Sequence, residues 1–379
     1  MNDTVPAPPV VFEPCPLILT VAPATGGRVV AAGSANYDQD GFQSNRVMVV
    51  RLTATGKFDR SFGGGNGVVV LGHTMLTGGA STTDTAVGVT VQPNGKVLVA
   101  GTATRVARGD DTDLEAPRDQ AFLFVRLNSN GSLDQGFGQR GRRVVRFPGA
   151  RLAAAASMAT DARGRILVAG RAGPRPGRAR RSQGRLAIAR VLTSGRLDAS
   201  FGRGGRLLER QALASGGLQL GALAVQRDSK PVVSLSTGTP IGPAWVVRRY
   251  TAAGRPDPTF GTGGQEGIRI SGSTSSGALA IAGTATCQRI VALGAVTVGT
   301  TTRPVVASLM GDGTPDPRFG DSGTLTLPVF AGAATATGRQ VTFVTSNFGL
   351  ARLVVASASC PGHPCSLSHS RPASSSRSP

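Results

Sequence analysis

Few side chains in this sequence are suited to nucleophilic or acid–base chemistry. The 379 residues include three histidines, and only His73 lies outside the C-terminal segment. A single loop histidine has no second histidine to pair with, so the sequence disfavours histidine-dependent catalysis. Asp and Glu number 21, and five of these are Asp residues of one repeated phrase. Acid–base catalysis would therefore need carboxylates brought together from different parts of the fold.

Two acidic loops offer the oxygen ligands that a calcium ion prefers. They run NYDQDGF from Asn36 and RGDDTDLE from Arg108. Alternating Asp side chains beside a Gly turn are similar to part of a calcium loop. Both loops lack the bidentate Glu at the distal position, so we expect no calcium site in either.

Potential zinc ligands cluster in the C-terminal segment CPGHPCSLSHSRPASSSRSP. They are Cys360, His363, Cys365 and His369. Their spacing is not one familiar from zinc sites, and the Ser- and Pro-rich composition is typical of disorder. With Cys15 and Cys287 the chain has four cysteines, too few for a disulfide scaffold, and their pairing stays open. The sequence predicts neither a metal site nor a cofactor.

Arginine dominates the charge of the chain. The formal net charge is +20, and only three of the 41 basic residues are lysines, Lys57, Lys96 and Lys230. Such a surface attracts polyanions, although a GC-rich genome would also encode this composition without any ligand. The densest cluster comprises Arg171, Arg175, Arg178, Arg180, Arg181 and Arg185. We predict an exposed loop there, between the third and fourth strands of its unit, which is either a solvated insertion or a polyanion contact.

One phrase recurs five times and indicates the elements that must position any site. LTSGRLDASFGRGGRLL from Leu192 is one copy, and successive copies place their Asp residues 75, 64, 59 and 59 residues apart. Such a period indicates repeated supersecondary units. We assign structural roles to the Asp, Phe and Gly of each copy. They are Asp59, Phe62, Gly63, Asp134, Phe137, Gly138, Asp198, Phe201, Gly202, Asp257, Phe260, Gly261, Asp316, Phe319 and Gly320.

Each unit contains four short apolar runs of strand length bounded by turn residues. In the third unit they include the runs RGRILVAG from Arg163 and RLAIARV from Arg185. Four such strands form a β-meander, and repeated meanders that are apolar on both faces are best buried by packing sheet against sheet in a ring. The predicted fold is an all-β propeller of four-stranded blades. We count six blades, the last ending near Val355 without the phrase.

The pattern GxxDxxFG within the phrase has a physical interpretation. The first Gly follows the outer strand and takes the positive φ of a tight turn. The Asp accepts backbone N–H bonds in that turn, and the Phe fills the space between adjacent blades. The second Gly lets the chain reverse into the next inner strand.

The phrases resemble the delta-60 repeat family of bacterial β-propeller-like proteins. The best matches are NGSLDQGFG from Asn130 and VTVQPNGKVLVAG from Val89, and the resemblance covers roughly residues 17 to 356. It implies a propeller fold and a secreted or cell-surface setting, and it supplies no catalytic residues. The alternative setting is cytoplasmic, because the N-terminus has no basic residue before Arg28 and lacks the pattern of a secretory signal.

The predicted organisation is a leader over residues 1–16, a repeat propeller over 17–358 and a disordered tail over 359–379. No stretch reaches the roughly 20 apolar residues of a transmembrane helix. The leading hypothesis is a monomeric, non-catalytic binding or scaffold module, whose partner is a polyanionic polymer or another protein. The alternative is a hydrolase or lyase with its site over the central channel. Propellers host both classes, so the fold alone does not decide between them.

Overall fold

The computed structural model describes most of the repeated part of the chain. The described residues are 17–39, 42–72, 82–106, 117–174, 184–209, 219–236, 245–268, 270, 273–283, 288–327, 331–337, 340–345 and 350–354. The predicted leader and tail, His73 and the zinc-ligand cluster lie outside them, as does the acidic loop from Arg108. No helix among the described residues is long and apolar enough to cross a membrane.

The described chain forms twenty-three strands in six antiparallel sheets. Sheet 1 contains β1 Leu17–Pro23, β2 Val29–Gln39, β3 Phe42–Leu52 and β4 Val68–Val70. Sheet 2 contains β5 Thr82–Val91, β6 Val97–Val106, β7 Pro117–Leu127 and β8 Arg142–Val145. Sheet 3 contains β9 Leu152–Thr160, β10 Ile166–Gly173, β11 Arg185–Val191 and β12 Arg206–Leu208.

The remaining sheets follow the same meander order. Sheet 4 contains β13 Gln219–Val225, β14 Pro231–Ser236, β15 Trp245–Arg249 and β16 Gln265–Ile268. Sheet 5 contains β17 Ser273–Gly283, β18 Gln288–Val298, β19 Thr301–Leu309 and β20 Thr324–Thr326. Sheet 6 contains β21 Ala331–Thr337, β22 Gln340–Thr345 and β23 Leu350–Val354. Single 3-10 turns occur at Thr25–Gly27 and Gly63–Gly65.

Consecutive sheets pack face to face with their first strands innermost. The first strand of each sheet contacts the first strand of the next, from β1 to β21, and it also packs on the second or third strand of the preceding sheet. The second and third strands are therefore covered on both faces, and β10, β11 and β14 are almost wholly buried. This burial explains why their sequences are continuous apolar runs rather than alternating ones. The fourth strands are short and lie at the outer edge.

Every first strand contains a β-bulge at a corresponding place. In sheet 3 the register between β9 and β10 shifts at Ala169 and Gly170, and the other five sheets shift between their first and second strands in the same way. A Cβ on Gly170 would lie 2.0 Å from the carbonyl oxygen of Ala154. The glycine that closes the VAG motif of the second strand is therefore required by the close approach of the bulged first strand.

Three architectural predictions need correction. Five sheets have four strands and the sixth has three among the described residues, so six complete blades are not confirmed. The repeated phrase joins the third strand to the fourth strand of the same sheet, not an outer strand to the next inner one. The arginine-rich segment joins the second and third strands, β10 and β11, not the third and fourth. The errors about the repeated phrase and about the arginine-rich segment have one cause. A short fourth strand in the same sheet was taken for the start of the next unit.

Candidate functional site

The Asp and Phe of the repeated phrase meet a buried arginine at the seam between two sheets. In the seam between sheets 3 and 4, the Nε of Arg190 donates to Asp198 Oδ2 at 2.9 Å, and its guanidinium lies 4.6 Å from the ring centre of Phe201. Its other nitrogens donate to Ser200 and to the carbonyl of Ala252 in the next sheet. Arg190 and Phe201 are both fully buried. We call this arrangement of arginine, aspartate and phenylalanine the clasp.

The two glycines of the phrase complete the contact between sheets. The N–H of Gly202 donates to the carbonyl of Ala253 in sheet 4 at 2.8 Å. Gly254 has a φ of +76°, and a Cβ there would lie 2.8 Å from the Phe201 ring. In three phrases, at Gly195, Gly254 and Gly313, the first glycine therefore serves its own turn and also leaves room for the phenylalanine of the preceding sheet.

A second cation from the start of the second strand contacts each clasp aspartate. Arg165 Nη1 lies 3.2 Å from Asp198 Oδ2, and Arg28, Lys96, Lys230 and Arg289 make the corresponding ion pairs. Each clasp carboxylate is thus held by a cation from its second strand. Three of these five second cations have partly exposed side chains, namely Arg28, Lys96 and Lys230.

These bonds lower the pKa of four of the aspartates, Asp59, Asp134, Asp198 and Asp257. The hydroxyl of Ser61, which donates at 2.7 Å, is the main cause that brings the pKa of Asp59 to about 2. Burial raises the pKa of Asp257, but the hydroxyl of Thr259 and the ammonium of Lys230 outweigh it and bring that pKa to about 2. The carboxylates are therefore structural anions that stay ionised, not acids that exchange protons near neutral pH.

Four seams share the full clasp and the fifth does not. The arginines are Arg51, Arg126, Arg190 and Arg249, each eight residues before its aspartate. In sheet 5 the corresponding residue is Ser308, and Arg289 alone pairs with Asp316, at 3.0 Å. Phe319 is only partly buried, whereas Phe62, Phe137, Phe201 and Phe260 are completely buried. Ser308 leaves the fifth seam without the guanidinium that lies over the phenylalanine ring in the other four.

Sequence reasoning missed both cations of the clasp. Their signal was present, because an arginine precedes the aspartate by eight residues in four of the five copies and a Lys or Arg stands at or just before the start of every corresponding second strand. The clasp lies at the end of the sheets that holds the turns between strands one and two and between strands three and four. We call this the clasp end and the opposite end the far end. The clasp end is occupied by interactions that hold neighbouring sheets together.

A buried carboxylate lies on the innermost strands near the far end. Among the described residues of β1, β5, β9, β13, β17 and β21, Asp84 of β5 is the only ionisable residue. Its exposed fraction is 4%. It stands seven residues before the end of β5, which places it roughly 20 Å from the turn at the clasp end. An acidic residue on an otherwise uncharged set of strands is a signal of function rather than of packing.

The strand register brings two more charged residues to the same face of sheet 2. Asp84 pairs with Ala103, Ala103 pairs with Ala121, and Arg105 pairs with Asp119. Because side chains alternate along a strand, Asp84, Arg105 and Asp119 all lie on the face that packs toward sheet 1. The two carboxylates stand on strands about 10 Å apart with the arginine between them.

The surroundings of this cluster differ for the three side chains. Asp119 Oδ2 accepts from Arg146 at 3.0 Å, and the Asp119 side chain is 16% exposed. Arg105 is partly buried, and its Nε makes no hydrogen bond within the described part of the chain. The far end of sheet 2 thus combines two carboxylates with a guanidinium able to bind an anionic group. We call Asp84, Arg105 and Asp119 the far-end cluster.

The predicted polyanion-binding arginines lie only partly within the described residues. Arg171 is exposed in β10, and Arg185 is partly buried at the start of β11, opposite Ala172. Both are at the far end of sheet 3. Arg175, Arg178, Arg180 and Arg181 are outside the described residues. Within the described ranges, no three His, Cys, Asp or Glu side chains gather as a metal site would require.

Comparison with known protein families agrees with the repeat architecture. A family model for a domain of unknown function, the DUF5122 β-propeller, matches residues 27–62, 119–137 and 164–201. The first and third of these ranges run from the second strand through the phrase and the second ends at the phrase. This chain is a β-propeller-like repeat protein. The name delta-60 is not confirmed by this match, and no curated protein matches the sequence.

Solved structures with a similar fold include enzymes that act on carbohydrates. A Hadza microbial sialidase is 11% identical with a TM-score of 0.50, over 89% of this chain and 65% of the sialidase. An ulvan lyase of a new polysaccharide lyase family is 12% identical with a TM-score of 0.42, over 87% of this chain and 77% of the lyase. A glycoside hydrolase is 11% identical with a TM-score of 0.34, over 74% of this chain and 88% of the hydrolase. This chain therefore spans about two thirds of the sialidase.

The similarity to the sialidase contradicts the hypothesis of a non-catalytic binding or scaffold module, which was wrong. The fold that this chain shares with the sialidase carries an enzyme in that protein. At 11% identity the likeness concerns the fold and transfers no residue roles.

Proposed function

We propose that this protein is a carbohydrate-active hydrolase or lyase that cleaves an anionic polysaccharide at the far end of its sheets. The observation that carries the proposal is the far-end cluster, in which Asp84 is the one ionisable residue on the described innermost strands. The fold similarity to a sialidase supports the reaction class. The clasp end is unsuited to catalysis because its carboxylates are held as ionised structural groups.

The roles of the three residues follow from their chemistry. Cleavage of a glycosidic bond by hydrolysis uses a pair of carboxyl groups, and a lyase needs a base with a cation beside the acidic group of the sugar. Asp84 and Asp119 supply the carboxyl groups, and Arg105 pairs with a carboxylate or sulfate of the substrate. Arg105 faces the same side as Asp84, so the anionic group binds next to the acid–base residue.

The charge of the chain supports an anionic substrate. A net charge of +20 raises the local concentration of a polyanion around the protein. We include the segment from Arg171 to Arg185 as a polyanion contact, because both ends that the structure describes are at the far end of sheet 3. Anionic polysaccharides are extracellular materials, so the proposal includes a secreted or cell-surface setting. It also includes closure of the six sheets into a ring, which the successive contacts of the first strands support.

Replacement of Asp84 tests the proposal. The full chain is incubated with sialylated, uronate-containing, sulfated and neutral polysaccharides, and new reducing ends are measured together with the ultraviolet absorbance of unsaturated sugars. We expect cleavage of an anionic polymer, and a loss of roughly a hundredfold or more in Asp84→Asn because a general acid or base contributes about that much. Unsaturated products would identify a lyase.

The control is Asp228→Asn, which removes an equal charge from an exposed side chain at the clasp end. It is expected to retain full activity. Cleavage of no polymer in the panel, or equal activity of Asp84→Asn and the unaltered protein at equal folded fraction, would contradict the proposal.

A further inference from the structure

Three polar residues break the repeat pattern at the seam between sheets 3 and 4. Glu209 stands four residues after the last glycine of its phrase, where the other four copies have Leu71, Val145, Ile268 and Leu327. Tyr250 occupies the position of Leu52, Leu127, Val191 and Leu309. Arg248 occupies the position of Val50, Val125, Ala189 and Ala307. In a repeat protein, packing needs recur in every unit, so residues confined to one seam indicate a need that packing does not explain.

The three residues contact one another. The hydroxyl of Tyr250 donates to Glu209 Oε1, and the guanidinium of Arg248 donates to Glu209 Oε2. Arg248 Nε also donates to Gln265 Oε1 at 3.0 Å. Tyr250 is 1% exposed, while the side chains of Glu209 and Arg248 are 15% and 18% exposed. The tyrosine therefore holds the carboxylate in place from the interior, and the two charged groups face outward.

These charged groups line a cleft of about 550 Å³ between the two sheets. Its other walls include Leu208, Pro256, Arg255 and Gln265. The volume falls in the range of small-molecule sites, roughly 300–1,000 Å³. Burial and the neighbouring Glu209 raise the pKa of Tyr250 well above its ordinary value, so its hydroxyl stays a donor across the physiological range.

The charges in the cleft point to the ligand. Arg248 is neutralised by Glu209, and Arg249 by Asp257, whereas the exposed Arg255 makes no ion pair among the described residues. The single uncompensated charge of Arg255 therefore matches a ligand that has one negative charge. A carboxylate has about four lone-pair positions, so Glu209 still accepts from ligand hydroxyls after its bonds to Tyr250 and Arg248. The amide of Gln265 adds a hydroxyl partner.

We propose that this cleft is a binding site for a carboxylated sugar of one or two units, with the carboxylate on Arg255 and hydroxyls on Glu209 and Gln265. The site is separate from the far-end cluster, because the cleft is formed by the outer strands of sheets 3 and 4. It deepens the proposed function by giving the polymer a second point of attachment. Binding of a free monosaccharide requires no cleavage. Binding at the cleft can therefore be tested whether or not the protein cleaves a polymer.

Calorimetric titration of the full chain with glucuronate, and with glucose as the neutral counterpart, tests the site. We expect glucuronate to bind roughly tenfold or more tighter than glucose, because a charge-assisted bond to Arg255 contributes about that factor. Arg255→Gln should lower the affinity for glucuronate to that for glucose. Asp84→Asn should leave glucuronate binding unchanged even if it abolishes cleavage.

A repeat-restoring variant, Glu209→Leu with Arg248→Val and Tyr250→Leu, separates binding from packing. The other four seams have apolar residues at these positions, so the variant should melt no lower than the unaltered protein and bind neither sugar. Absence of glucuronate binding by the unaltered protein would overturn the inference, as would equal binding by the repeat-restoring variant. If that variant does not fold, an unchanged glucuronate affinity in Arg255→Gln overturns it.

Discussion

At the scale of single residues, the clasp shows how an arginine can be almost wholly buried. Arg190 is 1% exposed, yet its three nitrogens all donate, to Asp198, Ser200 and Ala252. A buried ion pair stabilises a fold only when its remaining donors are satisfied. The phenylalanine ring below the guanidinium excludes water and adds a cation–π contact. Arg51 and Arg249 are buried with the same kinds of partner in two other seams.

The clasp phenylalanines should differ in their contribution to stability. Phe201 is fully buried, so Phe201→Ala should lower the free energy of unfolding by about 3–5 kcal/mol. Phe319 is partly exposed, so the matched Phe319→Ala should cost well under that. Urea denaturation of the two variants and the unaltered protein measures the difference. Equal losses would mean that burial in the seam does not determine the role of the phenylalanine.

At the scale of elements, the turn between the third and fourth strands is both a reversal and a contact between sheets. Its aspartate accepts a hydrogen bond within the turn, as Asp59 does from the N–H of Ser61 at 3.0 Å. The same carboxylate also pairs with Arg28, just before the second strand, and with Arg51 of the third strand. The second-strand cation ties that strand to the turn. One carboxylate therefore fixes the ends of three strands, which explains why the phrase keeps its Asp in all five copies.

Acid should weaken these turns in a defined range. The pKa of Asp59 and that of Asp257 are about 2 in the folded protein, below the unfolded value of about 3.9. A carboxyl with a lower folded pKa stabilises the fold above the unfolded pKa, and this stability is lost as the pH falls from about 4 toward 2. Urea midpoints at pH 7, 4 and 2.5 should show most of the loss between the last two values. An unchanged midpoint at pH 2.5 would contradict the assignment.

At the scale of the whole molecule, stability passes from sheet to sheet through the seams. Each sheet contacts mainly its neighbours, so the strength of the assembly depends on each interface in turn. Four seams have the complete clasp. The seam after sheet 5 has Ser308, whose hydroxyl makes no hydrogen bond among the described residues, in place of the arginine. This seam should open before the others.

Hydrogen exchange followed by mass spectrometry can locate the weak seam. Peptides from β18 and β19 should exchange faster than those from β10 and β11, because local opening follows the weakest contacts. Arg190→Ser gives the third seam the residue found in the fifth, so it should raise exchange in β10 and β11 to a similar level. Equal exchange in both sheets of the unaltered protein would show that the clasp does not set the order of opening.

The sequence by itself determined the all-β class, the repeated meander and the chemistry of the turns. These features are local, because apolar runs of strand length and turn residues such as those around Asp198 act over a few neighbouring positions. The arginine eight residues before four of the five aspartates was also visible as a periodic feature. Its role was not, since its partners include a carbonyl of the next sheet, 62 residues away at Ala252.

Only the tertiary structure decided which residues form sites. Asp84, Arg105 and Asp119 come from three strands, and their common face follows from strand register, which the pattern of each strand alone does not specify. Glu209 and Tyr250 meet because sheets 3 and 4 pack face to face, and no local signal places them together. Contacts between sheets depend on the packing of whole surfaces, and such packing is decided by the complete fold rather than by any single segment of the chain.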